Sequence, residues 1–195
     1  MPPVENPILL DIPEQFTTER CVVRAPRSGD GPATTAAIYE SLDLLRPWMS
    51  WAVKTPELDW VEHGIRYSAA QFLLREDLRM QIFHRASGQY LGGTGLHQID
   101  WKVPTMEIGY WLRASAQGQG YMTEVVNALT DYAFRYCHAE RIEIRMDTRN
   151  FPSQTVAQRC GYVLEATLRA EARNAYDDTV RDMYLYAKVR TDWAA

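Results

Sequence analysis

Between Glu107 and Tyr162 the chain reads as strand, glycine-punctuated turn, helix, strand, and a short helix opened by Asn150-Phe-Pro-Ser153. No other feature constrains the fold as much. A strand that feeds a glycine loop at a helix N-terminus turns backbone amides toward an anion such as a phosphate. Glu107-Ile-Gly-Tyr-Trp-Leu112 is the strand, and Gln117-Gly-Gln-Gly-Tyr-Met-Thr-Glu124 is the loop and first helical turn. Met122, Val125, Val126, Leu129, Ala133 and Tyr136 follow at helical spacing, which predicts one face packed on a sheet and an open N-terminus. The loop lacks the Lys-Ser or Lys-Thr ending of a P-loop and the third glycine of a dinucleotide fingerprint. A nucleoside triphosphate site and a Rossmann site are therefore disfavoured. Gly118-Gln-Gly120 alone is a pair found in many turns; its position between strand and helix makes it a candidate pyrophosphate site.

The rest of the chain supplies a sheet for that helix. Residues 1–15 contain Pro2, Pro3, Pro7 and Pro13 and predict an extended arm, a candidate dimer contact, ahead of a single domain over 16–195. Cys21-Val-Val-Arg24 is a short strand, and helices are expected over Pro32 to Leu45 and Pro56 to Leu78, the second with Trp60, Ile65, Phe72 and Leu73 among its apolar positions. The segment Leu45-Arg-Pro-Trp-Met-Ser-Trp51 between them concentrates aromatic surface that suits a cleft wall. Arg79 to His84 and Tyr90 to Gln98 flank Ser87-Gly-Gln as a hairpin. Arg141 to Met146 alternates apolar and charged residues as a strand with one covered face does, and Tyr162 to Leu168 and Val180 to Val189 read as two more strands. The sum is an α/β (α+β) fold, a mixed and mostly antiparallel sheet with helices on both faces.

A chain of 195 residues, 46% hydrophobic, buries a full core without staples. Cys21, Cys137 and Cys160 are odd in number and lack C-x-x-C or His pairing, so they predict buried or idle thiols. A net charge of -4 without a Lys/Arg-rich run argues against nucleic acid as a partner. No apolar run approaches a membrane span, and Met-Pro-Pro-Val-Glu-Asn-Pro has neither the charged start nor the apolar core of a signal peptide, which predicts a cytoplasmic protein.

Four stretches together resemble the acetyl-CoA-dependent N-acyltransferases of the GNAT superfamily, and within it the branch that acetylates N-termini of ribosomal proteins. They are Phe16-Thr-Thr-Glu-Arg20, Glu107 to Leu112, Gly118 to Glu124, and Asn150 to Ser153 followed by Cys160-Gly-Tyr162. One departure is Ser115, three places before the first glycine, where the family often has Gln or Arg. The resemblance implies direct attack of an amine on the thioester of acetyl-CoA, without an acyl-enzyme and without a metal. It implies that the N–H groups of Gln117, Gly118, Gln119, Gly120 and Tyr121, with Met122 as an addition, cradle the pyrophosphate. It also implies that Trp111 and Leu112 pair with the pantetheine arm, the Leu112 N–H facing the thioester oxygen.

Asn150 and Ser153 are helix-capping residues by type and position, with Pro152 marking the start. The family's Asn-x-x-Ser motif adds a role, Asn150 holding the pantetheine and Ser153 donating to the departing thiolate, and both readings are compatible. A protein α-amino group, with a pKa of about 8, needs under about 1 kcal/mol to deprotonate near neutral pH, whereas a lysine needs about 4 kcal/mol. An α-amine therefore requires only a modest base. Glu107, beside the thioester site, and Glu171, on the opposite wall where this branch carries a glutamate, are the two carboxylates expected to serve; either is also an ordinary surface glutamate by type. His97 is a secondary candidate, Trp48 and Trp51 are core or cleft wall, and Asp177-Asp178 is a turn. The acceptor on this reading is a protein N-terminus, with a polyamine or amino-sugar antibiotic as the alternative within the class and a non-catalytic CoA-binding protein outside it.

Overall fold

Alternation and capping set the elements of the computed structural model, which describes residues 4–193. Eight strands run as β1 (Gln15–Thr17), β2 (Cys21–Arg24), β3 (Leu78–His84), β4 (Tyr90–Asp100), β5 (Thr105–Leu112), β6 (Arg141–Asp147), β7 (Val163–Arg173) and β8 (Val180–Val189). Four α-helices intervene, α1 (Gly31–Leu45), α2 (Leu58–Leu74), α3 (Tyr121–Tyr136) and α4 (Phe151–Arg159). α2 stops four residues short of the expected Leu78 because Arg75 takes the left-handed conformation, φ 61°, and its N–H closes on the carbonyls of Gln71 and Phe72. α4 begins where Asn150 Oδ1 accepts the Ser153 N–H at 3.2 Å, with Pro152 in its first turn. Of the N-terminal arm, Val4 N–H donates to the Trp101 carbonyl at 3.0 Å, Pro7–Leu9 form a 3-10 turn, and Ile12 enters the core.

The sheet order is β1-β2-β3-β4-β5-β6-β8-β7, antiparallel at every pairing except β5 with β6. That parallel ladder has three rungs, Thr105↔Arg141, Met106↔Ile142 and Glu107↔Glu143. Beyond it β5 continues to Leu112 along β4, while β6 continues to Asp147 along β8. The two strands fork at Glu107, leaving Ile108 to Leu112 without a ladder partner on that side.

Side-chain alternation gives the two faces of β5 different work. Met106, Ile108 and Leu112 join the main core with Val125, Val126 and Leu129 of α3, and Tyr110 reaches α4. Trp111, on the other face, packs with Ile38 of α1 and with Val61 and Ile65 of α2. The apolar face expected of α3 is buried from Met122 to Ala133, and each such side chain contributes about 1.5–3 kcal/mol. Tyr136, expected on that face, is instead 43% exposed, at the last residue of α3. Trp60 and Leu73 of α2 also lie outward, because Val61, Ile65 and Phe72 occupy the covered stripe. All three cysteines are buried and free.

Candidate active site

The loop from β5 to α3 is shaped by two left-handed glycines, Gly118 at φ 73° and Gly120 at φ 81°, the latter being the N-cap of α3. Glu124 N–H is the first to bond back, to the Gly120 carbonyl at 3.1 Å. Among the described residues the N–H groups of Gly118, Gln119, Gly120, Tyr121 and Met122 have no protein acceptor, as an anion cradle requires. Gln117 does not share this property. Its N–H closes on the Ala114 carbonyl at 3.2 Å, and its side-chain amide donates to the Leu112 carbonyl at 3.1 Å.

Three side chains hold this loop, none of which the sequence reading gave a role. Arg20 donates from Nε to Glu124 Oε2 at 2.6 Å and from Nη1 to the Gln119 carbonyl at 2.9 Å, and its guanidinium lies 4.4 Å from the Tyr121 ring centre. On the other side Glu40 of α1 accepts from the Arg113 guanidinium and from the Ser115 N–H at 2.8 Å. These contacts hold the Glu40 carboxyl down at about 2. The Ala114 N–H donates to Ser41 Oγ at 2.8 Å. The only local signal for Arg20 was its place in Phe16-Thr-Thr-Glu-Arg20; its partner is 104 residues away.

The fork receives the backbone of alternate β5 residues. Arg113 N–H donates to the Leu91 carbonyl of β4 at 2.8 Å, and Thr94 Oγ1 to the Gly109 carbonyl at 3.0 Å, so odd-numbered peptide groups face β4. Leu112 and Tyr110 therefore turn their N–H groups into the fork. Trp111, expected to pair beside Leu112, turns its backbone to β4 instead and its indole to the opposite side, where Trp51 meets it edge-on at 5.7 Å. At the far wall of the fork Ser153 Oγ lies 2.9 Å from Tyr110 Oη. Burial keeps the Tyr110 phenol well above its ordinary range, so it remains a hydrogen-bond donor at neutral pH. Asn150 uses its Oδ1 in the cap, and its Nδ2 has no partner among the described residues.

The two predicted carboxylates meet at one cation. Glu107 sits at the vertex of the fork with Glu143 and Arg145, lining a cleft of about 330 Å³ with Gln98, Thr105 and Met106. Its carboxylate makes no hydrogen bond among the described residues, and burial raises it above the ordinary value, opposed by the nearby Arg145 and His97 charges. Glu171, on β7, accepts from Arg145 Nη2 at 2.8 Å and is exposed. A second, mostly apolar pocket of about 530 Å³ includes Trp51, Val53, Pro56, Trp60 and Ala175. Asn174 Nδ2, donating to the Pro47 carbonyl at 3.3 Å, ties the β7–β8 turn to that wall. No cluster of metal-ligating side chains occurs among the described residues, and none of their helices is long and apolar enough to cross a membrane.

Comparison with known proteins agrees with this architecture. Residues 20–163 match the family described as Acetyltransferase (GNAT) domain. The ribosomal-protein-serine acetyltransferase of Escherichia coli (strain K12) is 36% identical over 157 residues, covering 78% of this chain and 85% of that protein. A ribosomal L7/L12 alpha-N-protein acetyltransferase in complex with coenzyme A shares the fold at a TM-score of 0.84 and 21% identity, over 93% of this chain and 99% of that one. The microcin C7 self-immunity acetyltransferase in complex with acetyl-CoA and AMP does so at 0.82 and 23%, over 88% and 93%. The chain belongs to the GNAT acetyltransferase family and is an acetyl-CoA-dependent N-acetyltransferase.

Proposed function

We propose that this enzyme acetylates the N-terminal α-amine of a cytoplasmic protein, a ribosomal protein by analogy with the E. coli relative. The observation that carries the site reading is the fork itself: unpaired β5 amides on one side of Glu107, and the free amides of Gly118 to Met122 at the end of the same strand.

On this reading the pyrophosphate rests on the amides of Gly118 to Met122 at the positive end of α3. Arg20 neutralises Glu124, which would otherwise repel it from the first helical turn. The pantetheine enters the fork as an added strand against Tyr110 and Leu112, with Asn150 Nδ2 as a further donor. Leu112 N–H meets the thioester oxygen, where negative charge develops as nitrogen attacks. Ser153, hydrogen-bonded to Tyr110, donates to the sulfur as the C–S bond breaks. Glu107 takes the ammonium proton; its burial makes it a stronger base than a solvated carboxylate. Glu171 and Arg145 form the outer wall, where Arg145 sets the field at Glu107 and Glu171 faces the incoming ammonium. The Trp51 pocket takes the residues that follow the acceptor's first.

Calorimetric titration of acetyl-CoA into wild type and Gly118→Asp, followed by acetylation assays over N-terminal peptides and small amines, tests the proposal. Binding lost in the variant and turnover confined to peptides support it. Turnover confined to polyamines or amino sugars would replace the acceptor, and intact binding in Gly118→Asp would remove the loop from the cofactor site.

A further inference from the structure

We infer that His97, aimed by Asp77, is a second proton acceptor of the acetyl transfer, acting beside Glu107. This rests on the site reading above and adds a group that it does not use.

The geometry comes from two strands and a turn. His97 stands directly opposite Glu107 in the β4–β5 register, so the two side chains share a face of the sheet, with Cβ atoms about 4.5–5.5 Å apart as cross-strand partners are. The next pair along is Gly95↔Gly109, and the imidazole lies over both glycines. A Cβ on Gly109 would fall 3.1 Å from His97 Nε2 and one on Gly95 would fall 3.1 Å from its Cε1. Nε2 is thereby carried past Glu107 along β5 in the direction of Trp111, toward the proposed thioester position.

Asp77, in the turn between α2 and β3, fixes the ring by a 2.7 Å contact from Oδ2 to Nδ1. With the Nδ1 proton donated to Asp77, Nε2 is left with its lone pair and can only accept. The other Asp77 oxygen is buried without a partner. Side-chain exposure of 25% at His97 gives the proton an exit to water.

The reaction needs two acceptors. An ammonium and a thioester become an amide, a thiol and one free proton. Nitrogen loses its first proton before its lone pair forms the C–N bond, and its second from the tetrahedral adduct as the C–S bond breaks. One proton ends on sulfur and one in solvent. Sulfur takes its proton from Ser153, which regains the one that Glu107 has taken; His97 Nε2 takes the other and passes it to solvent. Charged groups on this face include Asp77, Arg79 of β3, Glu107, and Arg141, Glu143 and Arg145 of β6, while the buried side chains of α2 are Val61, Ile65, Ser68 and Phe72.

The test is the pH profile of kcat/KM with an N-terminal peptide for wild type, His97→Gln and Asp77→Asn, with acetyl-CoA affinity and Tm measured in parallel. We expect His97→Gln to lower kcat by about 100-fold, to lose one ionisation from the acid limb, and to bind acetyl-CoA as wild type does. Asp77→Asn keeps the imidazole but removes the carboxylate that orients it, so kcat should fall while acetyl-CoA affinity stays that of wild type; this arm decides the matter if His97→Gln folds poorly. A wild-type pH profile in His97→Gln, at any kcat, overturns the inference. A wild type that neither binds acetyl-CoA nor acetylates a peptide overturns the parent reading instead.

Discussion

Arg20 and Glu124 join the start of the sheet to the first turn of α3 through two contacts, Arg20 N–H to Oε1 at 2.8 Å and Nε to Oε2 at 2.6 Å. The same guanidinium holds the Gln119 carbonyl, so one side chain sets the loop and cancels the carboxylate beneath it. Arg20→Ala should weaken acetyl-CoA binding by up to about tenfold, a modest effect because the pair is partly exposed, and calorimetry reads it directly. Glu124→Gln should weaken it less, since removing the carboxylate also removes its repulsion.

Gly118 separates conformation from charge. Open space surrounds the position a Cβ would take, but φ is 73°. Gly118→Ala should cost about 1–2 kcal/mol of stability while retaining cofactor binding, whereas Gly118→Asp should abolish binding by placing an anion in the cradle. Denaturant melts and titration distinguish the two.

Ser153 and Tyr110 should behave as one donor unit. Ser153→Ala is expected to lower kcat by about tenfold or more with little change in the KM for acetyl-CoA, and Tyr110→Phe to lower it less. The double variant should fall short of the product of the singles, which steady-state kinetics in a double-mutant cycle measures.

Glu107 predicts the acid limb. Its carboxyl is raised by burial, so activity should rise with pH above the ordinary carboxylate range, and Glu107→Gln should remove that ionisation and most of the turnover. The raised value also means that ionisation opposes folding as pH climbs from the unfolded value of 4.5 through the folded one. Glu107→Gln should therefore melt at the same temperature as wild type or higher at neutral pH.

Glu40 has the opposite sign. Held at about 2 against an unfolded 4.5, it contributes stability above 4.5 that is lost as pH falls toward 2. Acid melts of Glu40→Gln should show a shallower decline across that window than wild type does, and cofactor affinity should drop because Ser115 and Arg113 lose their anchor.

Much of this site was legible because it is local. The glycines, the apolar stripe from Met122 to Ala133, the Asn150 cap and the alternation of Arg141 to Met146 each act within a few residues, and periodicity or capping chemistry exposes them. Strand alternation decided what spacing could not: Trp111 and Leu112 are adjacent in sequence, yet one backbone serves β4 and the other the fork. The short β1 went unread because three residues carry no period.

By itself the sequence determined the order of the longer elements, the glycine loop at the start of α3 and the two carboxylates worth testing. Only the tertiary structure decided that Glu107 and Glu171 converge on Arg145, that Arg20 and Glu40 grip the loop from opposite sides, and that Asp77 aims His97. Each of these is a pairing across 20 or more residues, fixed by sheet register and helix packing rather than by any local preference of the chain.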